Sequence, residues 1–380
     1  MARQEAGSVS IFSVIFASLL LTVVTVSFIK LMMTDQQQAT TNDLSQSAYD
    51  AALAGVEDAK RVIRACQQGQ ADACEALQKP HDCNVINRSL AVTGVPQNNE
   101  TLIRSGHGQG AQYDQAYTCV NITMNTEDYL YKATVDKSQL ILLRSKQDFN
   151  EVQLEWFSRD DTTALAATSP PSYDPATGQG ALPRRAAWGA ATPPLLRAHI
   201  ITPGESFRLD ELDATGRSVT AFLRPYVSSA ATPPSPLSPN LSSHERATGD
   251  NEYDNNISLV TCHKNFSYNT YACRARLTIR PVSQQASQQA LLRLTPLYNS
   301  ASVRVSLYKD GAPVLFDGVQ PSVDATGRAA NVFRRVDARL QIGSDFPYPE
   351  HTVQTINSLC KTFSVTDGGV VADHGDCRLD

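Results

Sequence analysis

From Ile11 to Met33 the chain is apolar almost without a break, interrupted only by Ser, Thr and Lys30. Roughly 20 such residues are what a helix needs to cross a bilayer. A cleaved secretory signal is the simpler alternative. Its short apolar core should end at a small-residue cleavage site, however, and this run ends in Lys30-Leu-Met-Met-Thr-Asp35. A plain signal-anchor helix is a further alternative. Beyond the run the pattern changes while the helix signal persists. Between Gln36 and Cys66 there is no Pro, and the only Gly is Gly55. Ala48, Ala52, Gly55 and Ala59 recur at i, i+4, i+7 and i+11, with Ala51, Val56, Val62 and Ile63 beside them. Asp50, Glu57, Asp58, Lys60 and Arg61 fall largely elsewhere around the helix. The spacing predicts one helix over 8–66, with a membrane half at 11–33 and an amphipathic half packed on a folded body.

After Cys66 the periodicity switches. The stretch to Thr118 is rich in Gln, Asn, Gly and Asp and reads as loops tied by cysteines. Strands are then predicted at 117–124, 129–135, 139–144 and 151–157, from their alternation and β-branched content. Residues 67–161 thus form a first β-sheet region. Prolines crowd residues 162–195, which read as a surface connection. A second β region, 196–345, has predicted strands at 206–212, 218–227, 257–262, 272–281, 291–297, 302–308, 314–317 and 332–342. Short strands with regular turn signals suggest a β-sandwich there, with an exposed loop over 229–256. Asp-Ala-Thr-Gly-Arg occurs at Asp213–Arg217 and again at Asp324–Arg328, and both copies read as tight turns. The fold class expected is α+β, mainly β, with a long N-terminal helix on an antiparallel sheet and a second, sandwich-like region.

Composition narrows the function classes. Hydrophobic residues make up 42% and charged residues 19% of the 380, which suits a globular body. The net charge of −5 gives no basic field for nucleic acid. The eight cysteines fall in local groups, as disulfides formed outside a reducing cytosol do. Cys262 with Cys273, and Cys360 with Cys377, are the natural local pairs. Among Cys66, Cys74, Cys83 and Cys119 three connectivities stay open. Zinc fits less well, because no C-x-x-C occurs and the histidines are scattered.

Met1 to Gly7 is a short polar leader ending in Gly, followed at once by Ser8-Val-Ser-Ile-Phe-Ser-Val-Ile-Phe16. This resembles the type III leader of prepilins. The stretch Ser47-Ala-Tyr-Asp-Ala-Ala-Leu-Ala-Gly-Val-Glu-Asp-Ala-Lys60 is similar to the alanine-rich helix segment of the PilX-like minor pilins. The likeness covers about the first sixth of the chain. It implies cleavage between Gly7 and Ser8 by a prepilin peptidase, and a β-sheet wrapped on the outer half of the helix. It also implies assembly with other pilin subunits through the N-terminal helix, with Ala17, Ser18 and Ser27 allowing neighbours to approach. A C-terminal disulfide loop at 346–380 is a second, weaker likeness. One position departs from the pilin pattern. Phe12 stands where pilins carry the Glu that neutralises a neighbour's N-terminus, which points to a minor or tip-proximal subunit.

The common catalytic fingerprints do not occur. G-x-S-x-G, H-E-x-x-H, Walker and dinucleotide motifs are missing, and Ser105–Gly110 lacks the Lys-Ser/Thr of a phosphate loop. Asp250–Asn256 offers oxygen ligands without calcium-loop spacing. No catalytic residue, metal or cofactor is therefore expected. The function expected is that of a non-enzymatic filament subunit supporting adhesion or motility, held in the cytoplasmic membrane before assembly and served by the pilus machinery. The alternatives are an anchored binding protein that never polymerises and, behind it, an anchored extracellular enzyme.

Overall fold

A computed structural model describes residues 6–78, 83, 86, 89–97, 100–103, 115–162, 165, 185–202, 217–228, 257–264, 270–283 and 290–341. Helix α1 (Ala6–Gln67) runs unbroken for 62 residues, about 93 Å at 1.5 Å per residue. Nothing in its sequence stops it earlier, since it contains no Pro. It ends where Gly69 takes φ +89° and donates its N–H to Cys66 O, a left-handed cap that glycine adopts without steric cost. A short helix, α2 (Ala71–Leu77), follows at once.

The strands come in chain order as β1 (Val95–Gln97), β2 (Glu100–Leu102), β3 (Gln115–Thr126), β4 (Asp128–Ala133), β5 (Gln139–Leu143) and β6 (Phe149–Ser158). Next come β7 (Leu195–Ile201), β8 (Ser218–Ser228), β9 (Ile257–His263), β10 (Tyr271–Val282) and β11 (Ala290–Leu297). The last are β12 (Ala301–Lys309), β13 (Ala312–Val314), β14 (Phe316–Ala329) and β15 (Val332–Arg339). They make two sheets.

The smaller sheet is antiparallel with order β1-β2-β3-β14-β15, and one of its faces receives α1. Val56, Ala59, Val62 and Ile63 of the helix pack on Val120, Ile122, Val323 and Ala325 of the sheet. The opposite face carries Asn121, Ser322, Asp324 and Arg335, the usual division of a half-buried antiparallel sheet.

The larger sheet has ten strands in the order β13-β12-β6-β10-β9-β8-β7-β11-β5, with β4 also on β12. Its pairs are antiparallel except β8 with β9. Inward positions alternate cleanly, as in Ala301, Val303, Val305 and Leu307 of β12. One buried cluster contains Ile141 and Leu143 of the β5 end together with Val314 of the β13 end. The sheet is therefore curled far round a single core, with Trp156 at its centre donating Nε1–H to Pro194 O at 3.0 Å. Its facing walls share that core as the walls of a sandwich do.

The chain passes between the sheets at Thr126–Asp128 and again at Val314–Phe316. Gln320 fastens them by exchanging both hydrogen bonds with the Leu130 backbone, 2.8 and 2.7 Å. Because β3 pairs with β14, strands from the stretches 67–161 and 196–345 interleave in one sheet.

Several local expectations change. The second Asp-Ala-Thr-Gly-Arg is no turn. Asp324–Arg328 lies inside β14, paired on both sides, because Gly327 is needed there for contact with α1. The supposed loops after Cys66 contain α2, β1 and β2, and β7 (Leu195–Ile201) is a strand where none was predicted. The predicted strand 206–212, the first Asp-Ala-Thr-Gly of 213–216, the loop 229–256, and Cys360 with Cys377 lie outside the described residues.

Candidate interaction surface

Helix α1 has three parts with different surroundings. From Ile11 to Met33 every residue is exposed, including Phe12 at 77% and Leu21 at 70%. This is one helix long and apolar enough to cross a bilayer, and none of its apolar window is covered by the body. Four of its hydroxyls are satisfied within the helix. Ser18, Thr22, Thr25 and Ser27 donate to Ile15 O, Leu19 O, Leu21 O and Val23 O at 2.7–2.9 Å. Back-bonding of this kind removes the cost of placing a hydroxyl in an apolar surrounding.

The residues singled out for helix packing do not share one side. At about 100° per residue, Ala17, Ser18 and Ser27 point in three different directions, whereas Ser18, Thr22 and Thr25 form one stripe. Phe12 stands exposed on the surface of α1. Gly7 and Ser8 lie within the first turns of α1.

Thr34 to Asp43 is also exposed throughout, but polar. Contact with the body begins around Ser45, whose Oγ accepts from Arg334 Nε at 2.7 Å. From Ala48 onward the helix is docked, with Ala48, Ala51, Ala52 and Ala59 fully buried. Helix and sheet meet so closely that a methyl at Gly327 would fall 2.1 Å from Ala48 O.

Asp58, 2% exposed, fixes the docked part electrostatically. It accepts from Tyr117 OH (2.9 Å), Thr93 Oγ1 (2.9 Å) and Arg61 Nη1 (2.8 Å). Burial first, and then the Asp58 charge, push the Tyr117 phenol well above its ordinary range. The phenol therefore stays protonated and donates.

Three disulfides brace the body. Cys66–Cys74 joins the last turn of α1 to α2, Cys83–Cys119 ties residue 83 to β3, and Cys262–Cys273 links facing residues of β9 and β10. The local pairing of Cys262 with Cys273 is thus found, and the open choice among the first four is resolved. No cysteine is free among the described residues.

Other polar clusters are internally paired. Glu155, 2% exposed, sits between Arg274 and Arg304 on the flanking strands, with Arg274 Nε at 2.8 Å and Arg304 also stacked over Tyr271. This cross-strand triad pairs one buried carboxylate with two guanidinium groups. His199 Nε2 lies 2.7 Å from Ser218 Oγ, with His199 itself buried. A shallow cavity of about 590 Å³ opens beside Arg61, Arg64, Asp72 and the exposed Leu90. No group of three potential metal ligands occurs among the described residues. The triad was legible only as charged residues at alternating strand positions, which sequence reading passes over as solvated.

The chain matches no protein-family profile, no curated protein and no solved structure with which it was compared. The architecture, a long apolar N-terminal helix packed by its outer part on an antiparallel sheet, is consistent with that of pilins. The apolar helix marks a membrane anchor or signal, and the disulfides mark a body outside the cytoplasm.

Proposed function

We propose that this chain is a structural subunit, minor or tip-proximal, of a type IV pilus-like surface filament, with a role in adhesion or motility. One observation carries the reading. The apolar run 11–33 is wholly uncovered, yet it belongs to the same unbroken helix whose outer part is locked into the body. A mere export signal gains nothing from that continuity. A subunit that passes from lipid into a helix bundle does, because lipid or neighbouring helices must always cover the run. Burying that surface is worth about 25 cal/mol per Å².

Partners on this reading are other pilin subunits through α1, a prepilin peptidase acting between Gly7 and Ser8, and the membrane before assembly. Phe12 favours a second reading, a membrane-anchored extracellular binding protein that does not polymerise, because it removes the carboxylate that would register one helix against the next.

Two measurements test the proposal together. Mass spectrometry of the protein from cells is expected to give an N-terminus at Ser8, and Gly7→Arg is expected to leave the precursor uncut. Shearing of piliated cells is expected to release the protein with the filament fraction. Retention of Met1 and residence only in membranes would overturn the filament reading.

A further inference from the structure

The segment between the apolar run and the docked part of α1 has neither environment. Thr34 to Asp43 is exposed on every side, and the bonds of its threonine hydroxyls are local. Thr34, Thr40 and Thr41 donate to Lys30 O, Gln36 O and Gln37 O at 2.8–2.9 Å. The sequence Thr-Asp-Gln-Gln-Gln-Ala-Thr-Thr-Asn-Asp has no apolar stripe to pack. No Lys or Arg stands three or four residues from Asp35 or Asp43. Thr, Asn and Asp are poor helix formers, and back-bonded threonines tend to bend the helix that holds them. With no packed face, the stretch lacks the tertiary support that supplies most helical stability in proteins. On the body side the support is dense, from Ala48 to Ile63.

We infer that residues 34–43 are a helical hinge, a stretch that opens locally while both flanks stay helical. The inference rests on the proposed reading that 11–33 is held in a bilayer or a helix bundle. Opening converts about ten residues from a rod of ~15 Å to a tether of up to ~33–36 Å. The body then gains reach and freedom to turn, while its own core and the anchored run are undisturbed. For an adhesive or load-bearing subunit, this places the compliant element outside the disulfide-braced body.

Hydrogen exchange read by mass spectrometry, on the full chain in phosphatidylcholine/phosphatidylglycerol nanodiscs, tests this. Amides of 34–43 are expected to exchange at least about 100-fold faster than those of 48–63, with 11–29 strongly protected. The triple variant Thr40→Ala/Thr41→Ala/Asn42→Ala is expected to slow exchange in 34–43 by about tenfold. Slow exchange in both 11–29 and 34–43, or a triple variant that leaves the rate unchanged, overturns the hinge alone. Fast exchange across 11–29 overturns the anchored reading and the hinge with it.

Discussion

Gly327→Ala should loosen the helix from the body more than any comparable change. A methyl at this position would lie 2.1 Å from Ala48 O, 2.2 Å from Ala52 N and 2.9 Å from Ala51 C. These are helix backbone atoms and have no rotamer to escape into. Restoring a contact of about 3.5 Å requires α1 to back away from β14 by about 1.4 Å. A gap of about 0.5–1 Å forfeits roughly a quarter to a half of the attraction between each pair of atoms it separates. The loss falls on Ala48, Ala51 and Ala52 and, because the helix moves as a rod, reaches Val56 and Ala59. Overpacking costs about 1–3 kcal/mol where side chains can yield, so a cost of about 3 kcal/mol or more is expected here. Gly55→Ala is the control. Its methyl would meet Val120 Cγ2 at 2.8 Å and Tyr117 Cγ at 3.2 Å, both on side chains. It would also gain about 1 kcal/mol of helix propensity, leaving a net change within about 1 kcal/mol. Thermal unfolding of the full chain in detergent, with hydrogen exchange of 48–63, measures both. Equal stabilities of the two variants would refute this account of the packing.

Asp58→Ala should cost about 2–4 kcal/mol, because Tyr117 OH is left buried without its acceptor; thermal unfolding and exchange at Thr93 report it. Burial alone would raise the Asp161 carboxyl, but the Lys132 ammonium and the N–H groups of Ser302 and Ser158 outweigh it and hold it below the ordinary value. Its contribution is therefore complete above about pH 4 and is lost as pH falls through the lowered value, so Asp161→Asn should flatten the acid limb of a stability-against-pH curve. Closing a 36-residue span, Cys83–Cys119 should contribute about 3.8 kcal/mol against about 2.5 kcal/mol for the 8-residue span of Cys66–Cys74, read from paired Cys→Ser variants.

Local signals in the sequence located most elements, and long-range ones were out of its reach. The alanine spacing from Ala48 to Ala59 named the buried face of α1, because a helix in contact with a sheet must repeat its small residues near 3.6. Alternation marked nearly every described strand of the larger sheet. By contrast, Asp324–Arg328 has the composition of a turn and sits in mid-strand. What decides it is Ala48 lying over Gly327, a contact between opposite ends of the chain. The polar stem 34–43 was absorbed into a two-part helix for a related reason. Its helical signal is continuous, and only the three-dimensional ending of the body shows where contact stops. The candidate surface was the most legible part, since an apolar run declares itself without any partner.

The topology also bears on how such a subunit must be built. Sheet order puts β14 beside β3, so the seat of α1 is completed by one strand from the early part of the chain and one from near its described end. Without β14 and β15 the face carrying Ala48, Ala51 and Ala52 has only part of its cover, whereas the Asp58 partners Arg61, Thr93 and Tyr117 all lie in the first third of the chain. The Cys83–Cys119 bridge lies in that same early part and ties β3 to residue 83. That sheet is in turn flanked by the crossings at Thr126–Asp128 and Val314–Phe316, so its closure delivers β14 back to the helix. The seat of the docked part of α1 is therefore complete only when β14 has paired with β3, which makes an intact helix seat a signature of the finished body.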